Sequence, residues 1–186
     1  MTLRLTDAWA RIGSTAADDA AALFDRLHGE GVPADEIVRA LAMRITARNL
    51  AAGVDAEALA RLLVAAWGLP LPEVPAAALS HWLDRNRLTD AMGTVVGRID
   101  PGDVSTVAVA SRAVAKVAAA ESMESARSVF RAAVTGTGRV RGWVRQTEAD
   151  ACELCVWWAR DGRVWPVDHK MPTHTGCACA QEFVTE

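Results

Sequence analysis

Cysteine is confined to one end of this sequence, and tyrosine is absent. The four cysteines all fall within the last 35 of the 186 residues, whereas tryptophan occurs seven times. The first residues carry Arg4, Asp7 and Arg11 and no unbroken apolar run, so we expect no signal peptide. A chain that folds among cellular reductants rarely keeps structural disulfides, and clustered cysteines there are more often metal ligands.

Long apolar runs and catalytic signatures are also missing. The most apolar stretch, Leu62 to Leu79, is interrupted by Gly68, Glu73 and three prolines, which a membrane-spanning helix would not carry together. The sequence contains no Gly-rich phosphate loop, no G-x-S-x-G motif and no carboxylate pair in an acid–base setting. We therefore expect no membrane partner and no enzymatic activity.

The composition favours a mainly helical globular protein. At 19.8 kDa and 51% hydrophobic residues, the chain can bury one core and carry a small appendage. We predict a helical domain over residues 1–135, with a candidate hinge at 68–75, and a zinc-stapled module with short β-strands over residues 139–186. The net charge of −3 favours no particular partner.

Caps, glycines and prolines divide the helical region. The segment 68–75, G-L-P-L-P-E-V-P, breaks any helix because proline cannot continue one. The predicted helices run from a cap at Ser14 or Thr15 to His28, from Pro33 to Gly53, from a cap at Asp55 to Trp67, from Pro75 to Val96, and from Asp103 to Val134. The last is long and rich in alanine, and the stretch 100–103 before it reads as a turn.

The cysteines and one histidine have the spacing of a metal site. Two thiolates in C-x-x-C can face one ion, and a second turn carrying imidazole and thiolate can complete a tetrahedral zinc shell. We predict Cys152, Cys155 and His174 as ligands with Cys179 as the fourth and Cys177 as its alternative; His169 is a weaker candidate. Such a closed shell is structural, because no position stays open for a substrate. Two disulfides, or four unrelated thiols in a core, are the alternatives.

A second motif favours a different function. The segment Val167-Asp-His-Lys-Met-Pro172 resembles the Asp-His core of HNH nucleases, which are often stapled by two cysteine pairs. That resemblance implies a small zinc-stapled nuclease in which His169 is essential.

The C-terminal region as a whole resembles one family. Its ordered features are G-W-V-R at 142–145, C-E-L-C at 152–155, W-A-R-D-G-R-V-W at 158–165 and H-T-G-C-A-C at 174–179. In this order they resemble the C-terminal signature of MuF-like phage head morphogenesis proteins. The resemblance covers about a quarter of the chain and implies a minor capsid protein of a tailed phage. Its expected location is the virion, near the portal vertex, with the portal or major capsid protein as partner.

Two further features of the sequence favour contact with nucleic acid or another acidic partner. The segment 127–145 contains no acidic residue, and its five arginines are Arg127, Arg131, Arg139, Arg141 and Arg145. We interpret them as a candidate contact with packaged DNA or an acidic portal surface. Four tryptophans surround the cysteines: Trp143, Trp157, Trp158 and Trp165. They are either core filler around the ion or a base-stacking platform. A zinc-bearing DNA-binding adaptor is therefore a third hypothesis.

Overall fold

The computed structural model describes residues 4–70, 72–100 and 103–186, and confirms the predicted fold class. The helices are α1 (Leu5–Gly29), α2 (Ala34–Ala66), α3 (Ala77–Ser80), α4 (Arg85–Val96), α5 (Val104–Thr135) and α6 (Glu153–Ala159). Single 3₁₀ turns cover His81–Leu83 and Arg160–Gly162, and the strands are β1 (Val140–Gln146), β2 (Trp165–Pro166) and β3 (Ala180–Thr185). No helix within these described ranges is long and apolar enough to cross a lipid bilayer.

Helix α1 begins nine residues before the predicted cap at Ser14. Ser14 lies inside the helix, where its hydroxyl donates to the Arg11 carbonyl, so the cap prediction is wrong. The true start is held by a distant side chain: Gln146 Oε1 accepts from the backbone N–H of Leu5 at 3.0 Å. Trp9, only 1% exposed, buries this early part of the helix, which explains why a local cap is unnecessary.

Helix α2 runs through Gly53 and Asp55, where a stop and a restart were predicted. A Cβ atom at Gly53 would lie 2.7 Å from a methyl carbon of Leu79 and 3.3 Å from one of Val129. The glycine therefore lets two neighbouring segments approach the helix closely. This packing outweighs the cost of placing glycine in a helix, which is about 1 kcal/mol relative to alanine.

The described residues of the predicted connector, 68–70 and 72–75, are not helical, while residue 71 lies outside the described residues and the hinge stays a prediction. The helix predicted from Pro75 to Val96 is divided. The chain forms α3 and a 3₁₀ turn, becomes extended at Asp84, and then starts α4. Asp84 caps α4 by accepting from the N–H groups of Asn86 and Arg87. In the predicted turn at 100–103, residues 101 and 102 lie outside the described residues. Asp103 caps α5 through the N–H of Ser105 at 2.9 Å.

Two hydrophobic clusters of the described residues extend along α1, α2 and α5, and a third, small one consists of Cys155, Cys177 and Cys179. The outer cluster is wholly helical and includes Phe24, Leu41, Ile45, Met92 and Val114. The inner cluster joins Trp9, Val64, Phe130 and other helical residues to Trp143, Met171, Ala178, Ala180 and Phe183 of the C-terminal module. The helices and the module therefore share one of the two clusters.

A buried polar group fixes α2 against its neighbours. Asn49 is fully buried. Its amide donates to the Trp82 carbonyl at 2.8 Å and its side-chain oxygen accepts from Ser122 Oγ at 3.1 Å. Ser125 Oγ donates to the Asn49 backbone carbonyl at 2.8 Å. Because each group has a partner, the network specifies one packing of α2, α5 and the 3₁₀ turn.

The C-terminal sheet is antiparallel, in the order β2-β1-β3. The prediction of short β-strands within residues 139–186 is confirmed by β1, β2 and β3. Trp143 in the central strand pairs with Trp165 on one side and Phe183 on the other. A Cβ at Gly142 would overlap the Trp165 carbonyl, so only glycine allows β1 and β2 to approach this closely.

Candidate metal centre

Helix α6 brings the first two thiols together. Cys152 is the residue before the helix, and its carbonyl accepts from the Val156 N–H at 3.1 Å. Cys155 follows in the first turn, so C-x-x-C turns both thiols toward the same side. Cys152 is exposed, whereas Cys155 is buried.

A tight turn supplies the opposite side of the site. The N–H of Cys177 donates to the His174 carbonyl at 3.0 Å, and Gly176 has φ +82°, a conformation that favours glycine. The turn places His174 and Cys177 beside α6, and Cys179 follows immediately before β3.

The structure brings all five predicted ligands together. His174 Nε2 lies 3.2 Å from the sulfurs of both Cys152 and Cys155, and the sulfurs of Cys155 and Cys177 are 3.5 Å apart. The ligand atoms form two groups that share Cys155: one with Cys152 and His174, the other with Cys177 and Cys179. Within each group all atoms lie within 4.8 Å of one another.

These distances fit a metal ion better than disulfides. Tetrahedral bonds of about 2.0–2.3 Å place neighbouring ligand atoms about 3.3–3.8 Å apart, whereas a disulfide needs sulfurs at about 2.05 Å. All four cysteines are free. The cluster can therefore bind a metal ion. Both Cys177 and Cys179 are fully buried near Cys155, so the choice of Cys179 as the fourth ligand stays a prediction.

A hydrogen bond to a neighbouring carbonyl sets the tautomer of the His174 ring. The ring Nδ1 of His174 lies 3.1 Å from the Thr175 carbonyl, and donation to that oxygen raises the pKa of His174. The Nδ1 proton leaves the Nε2 lone pair directed at the thiols, which is the tautomer that a metal ligand needs.

The thiols have unequal acidities. Hydrogen bonding from Cys179 lowers the pKa of Cys177 to about 4, and the same bond raises the pKa of Cys179. Burial raises the pKa of Cys155 to about 12, whereas the backbone N–H of Cys155 lowers that of Cys152. Because a metal binds thiolates, its binding must expel the remaining thiol protons, and affinity falls at low pH.

Arg127 holds the turn that carries the second pair of cysteines. Its Nη2 donates to the carbonyls of Cys177 and Cys179, the latter at 3.1 Å, and its Nη1 pairs with Glu124 at 2.6 Å. The Arg127 side chain is 10% exposed. Glu148 adds a further contact, accepting from the Ala178 N–H at 3.0 Å.

Arg145 supports the other half of the centre from β1. It donates to the Pro172 carbonyl and lies 3.8 Å from the Cys155 sulfur. Its guanidinium also lies over the Trp158 ring at 5.2 Å. A positive charge beside a buried sulfur favours its thiolate, as a metal ligand requires.

The five arginines predicted to form one basic contact surface therefore lie in two different environments. Arg127 and Arg145 bond internal carbonyls and do not face solvent, and Arg131 donates to the Val167 carbonyl at 3.1 Å. Arg139 and Arg141 are exposed. Three of the five arginines thus supply donors to buried carbonyls of the module, and a contact of any of the five with DNA or an acidic portal surface stays a prediction.

The motif that resembles HNH nucleases lies apart from the cysteines. Neither of the two Cys/His groups in the described residues includes Asp168 or His169. The His169 ring stacks on Trp165 at 4.5 Å between centroids, and its carbonyl accepts from Trp143 Nε1. His169 thus packs against aromatic rings, and its weaker candidacy as a ligand finds no support.

Sequence reasoning missed the roles of Arg127 and Arg145. For Arg145 a signal exists, since it follows the buried Trp143 by two residues and so shares its face of the strand. An arginine on a buried face needs internal acceptors. For Arg127 we find no comparable local signal.

Comparison of the chain with protein-family models, with curated protein sequences and with solved structures finds no match.

Proposed function

We propose that this chain is a structural minor capsid protein of a tailed phage, of the MuF-like head morphogenesis type, with zinc as a structural ion. The proposed site of action is the portal vertex during head assembly or DNA packaging. The chain acts there without catalytic chemistry, as an adaptor between head components.

The observation that carries the proposal is the convergence of the four motif segments in one small module. Gly142 permits the approach of β1 to β2, Trp143 fills the inner core cluster and Arg145 supports Cys155. The C-x-x-C and H-x-x-C-x-C segments meet at the metal centre. The 158–165 segment joins them through Trp165, which pairs with Trp143 across the sheet. The segments of the resemblance thus contribute to the same unit, which supports treating them as one signature.

Zinc is the ion that best suits these donors. Thiolate and imidazole ligands in near-tetrahedral arrangement are typical of structural zinc, whereas oxygen ligands would favour magnesium or calcium. Cys152, Cys155 and His174 with Cys179 or Cys177 would hold the ion. Bound there, it joins α6 to the turn before β3, and Arg127 and Glu148 orient that turn.

Of the five arginines in 127–145, two are exposed and available for contact with packaged DNA or an acidic portal surface. Arg139 and Arg141 are exposed at the start of β1. They lie next to the end of α5, so such a contact would hold the module and the helices against one partner. Attachment through phosphates or carboxylates carries no sequence recognition.

Quantitative mass spectrometry of virions and proheads tests the proposal. We expect the chain at a few copies per particle, and particles assembled without it should form shells that package poorly or lack infectivity. Absence of the chain from both virions and proheads would contradict the structural role. Plasmid nicking by purified protein, lost on His169→Ala, would instead support the nuclease alternative.

A further inference from the structure

The C-terminal module carries two arginine–tryptophan pairs on either side of one turn, in which Trp157, Arg160, Arg163 and His169 are exposed and Trp165 is half-buried against the inner core cluster. The aromatic–basic ribbon, as we call it, consists of Trp157, Arg160, Arg163, Trp165 and His169. The Arg160 guanidinium lies 3.8 Å from the Trp157 ring centroid and that of Arg163 lies 4.3 Å from the Trp165 centroid. Trp165 in turn stacks on His169.

Trp157 differs from the buried tryptophans because it does not pack in the hydrophobic core. Its side chain is on the outer face of α6 and the residue is 57% exposed, with Val156 and Leu154 exposed beside it. Trp143, by contrast, is 1% exposed. With Arg160 over one face of the ring, the remaining exposed area of Trp157 is open to a flat partner.

A strained turn places the two arginines. Arg160 and Asp161 both adopt left-handed conformations, with φ of +49° and +53°, and Gly162 follows at +81°. Successive left-handed residues other than glycine are rare and costly. The Arg163 N–H donates to the Arg160 carbonyl at 3.1 Å, which closes the turn between the two arginine–tryptophan pairs.

The charges of the ribbon are uncompensated by ion pairs. The salt bridges of the described residues use other arginines: Arg26, Arg39, Arg44, Arg48, Arg61, Arg87 and Arg127. Arg160 and Arg163 form none in that part of the chain. Lys170 next to His169 is exposed, as are the acidic Asp161 and Asp168. The guanidinium groups thus keep donors free for an external anion.

We propose that the aromatic–basic ribbon binds single-stranded nucleic acid, with a base stacked on Trp157 and phosphates at Arg160 and Arg163. Stacking on an aromatic ring needs an unpaired base, because the faces of paired bases are already stacked within a duplex. An acidic protein segment would satisfy the arginines but would leave the open ring face of Trp157 without a partner. This inference is independent of the proposed role in phage heads.

Fluorescence anisotropy of a labelled oligothymidylate with the metal-loaded full chain tests the ribbon. Trp157→Ala should weaken binding by about 5- to 150-fold, the usual range for loss of one stacked base. Arg160→Asn and Arg163→Gln should each reduce the slope of log K against log salt by about 0.7. Asparagine is chosen at position 160 because it tolerates the left-handed conformation.

Two matched variants control for general effects. Leu62→Ala removes an apolar side chain of 67% exposure from α2, and Arg39→Gln removes a charge from the same helix; neither should change affinity or slope. Metal content must equal that of the unsubstituted chain, which shows that the variants fold.

Three results would overturn the inference. The first is no binding at low salt, and the second is equal binding of duplex and single strand with no effect of Trp157→Ala. The third is displacement of the oligonucleotide by polyglutamate that binds more tightly at the same residues, which would assign the ribbon to an acidic protein partner.

Discussion

Replacement of Arg127 by methionine separates the internal role of this residue from a contact with DNA or portal. Methionine keeps an unbranched apolar stem of similar reach and removes every donor. The carbonyls of Cys177 and Cys179 then lose the guanidinium, and Glu124 loses its ion-pair partner. The unpaired buried Nε of Arg127 disappears as well.

The expected destabilisation follows from these contacts. Hydrogen bonds from a charged donor contribute about 1.5–3 kcal/mol each, and the two to carbonyls share one nitrogen, so we count them as one strong bond. The ion pair with Glu124, whose side chain is 30% exposed, adds at most about 1 kcal/mol. Removing the unpaired Nε offsets about 1 kcal/mol. We expect a net loss of about 2 kcal/mol, or a Tm lower by about 4–8 °C for a chain of this length.

Urea unfolding followed by tryptophan fluorescence measures the loss, and competition with a metal chelator measures zinc affinity. Both should fall for Arg127→Met, because the turn that carries Cys177 and Cys179 is no longer held. Arg139→Met, on the exposed residue, is the control and should leave both unchanged. If Arg127→Met stays within 0.5 kcal/mol of the parent chain, the threshold expected for a surface residue, our account of Arg127 is refuted.

Further predictions concern the metal, the buried amide and one ion pair. Reductively purified protein should contain one zinc per chain. Cys152→Ser should release the zinc and raise hydrogen exchange in residues 140–185, while the outer core cluster stays protected. Absence of zinc together with two mapped disulfides would contradict the predicted metal centre. Separate substitutions decide the fourth ligand: we expect Cys179→Ser to lose zinc and Cys177→Ser to keep it, and the reverse outcome would exchange their roles. Asn49→Ala should cost about 2–4 kcal/mol in urea unfolding, because the Trp82 carbonyl and the Ser122 hydroxyl lose their partner, whereas Thr94→Ala on exposed α4 should cost far less. Hydrogen bonding from Arg48 lowers the pKa of Asp19, so this contribution is present above pH 4 and is lost as pH falls through the lowered pKa. Asp19→Asn should therefore be less stable than the parent chain by up to about 1 kcal/mol at pH 7, and a difference that does not shrink as the pH is lowered through the acid range would contradict this account.

Features with local causes could be predicted from the sequence. Helix α5 follows a capping aspartate and contains neither proline nor glycine, so its bounds were within one residue of Asp103 to Val134. The meeting of the candidate ligands in one cluster was predictable because C-x-x-C and H-x-x-C-x-C each bring their donors to one turn. The strands at β2 and β3 were predictable for a similar reason, since the turn residues around them limit their length.

Features caused by packing between distant segments could not be predicted in this way. The sequence around Gly53 gives no sign that Leu79 and Val129 pack against it. A prediction from local sequence therefore assigns Gly53 to the end of a helix. Nothing near Arg127 announces that two carbonyls about fifty residues later need its donors. In each case the decisive partner lies in another element, and only the fold brings it near.

The hydrogen bonds from the start of α1 to Gln146 have a consequence for how the protein folds. Gln146 serves as the cap of a helix that begins about 140 residues earlier in the chain, so the first turn of α1 becomes fully bonded only after β1 has docked. Contacts over such separations form late, because a long loop must close first. The start of the helix and the C-terminal module are thus completed together, and removal of a metal from the Cys/His cluster should fray α1 at Leu5 even though no candidate ligand lies in that helix.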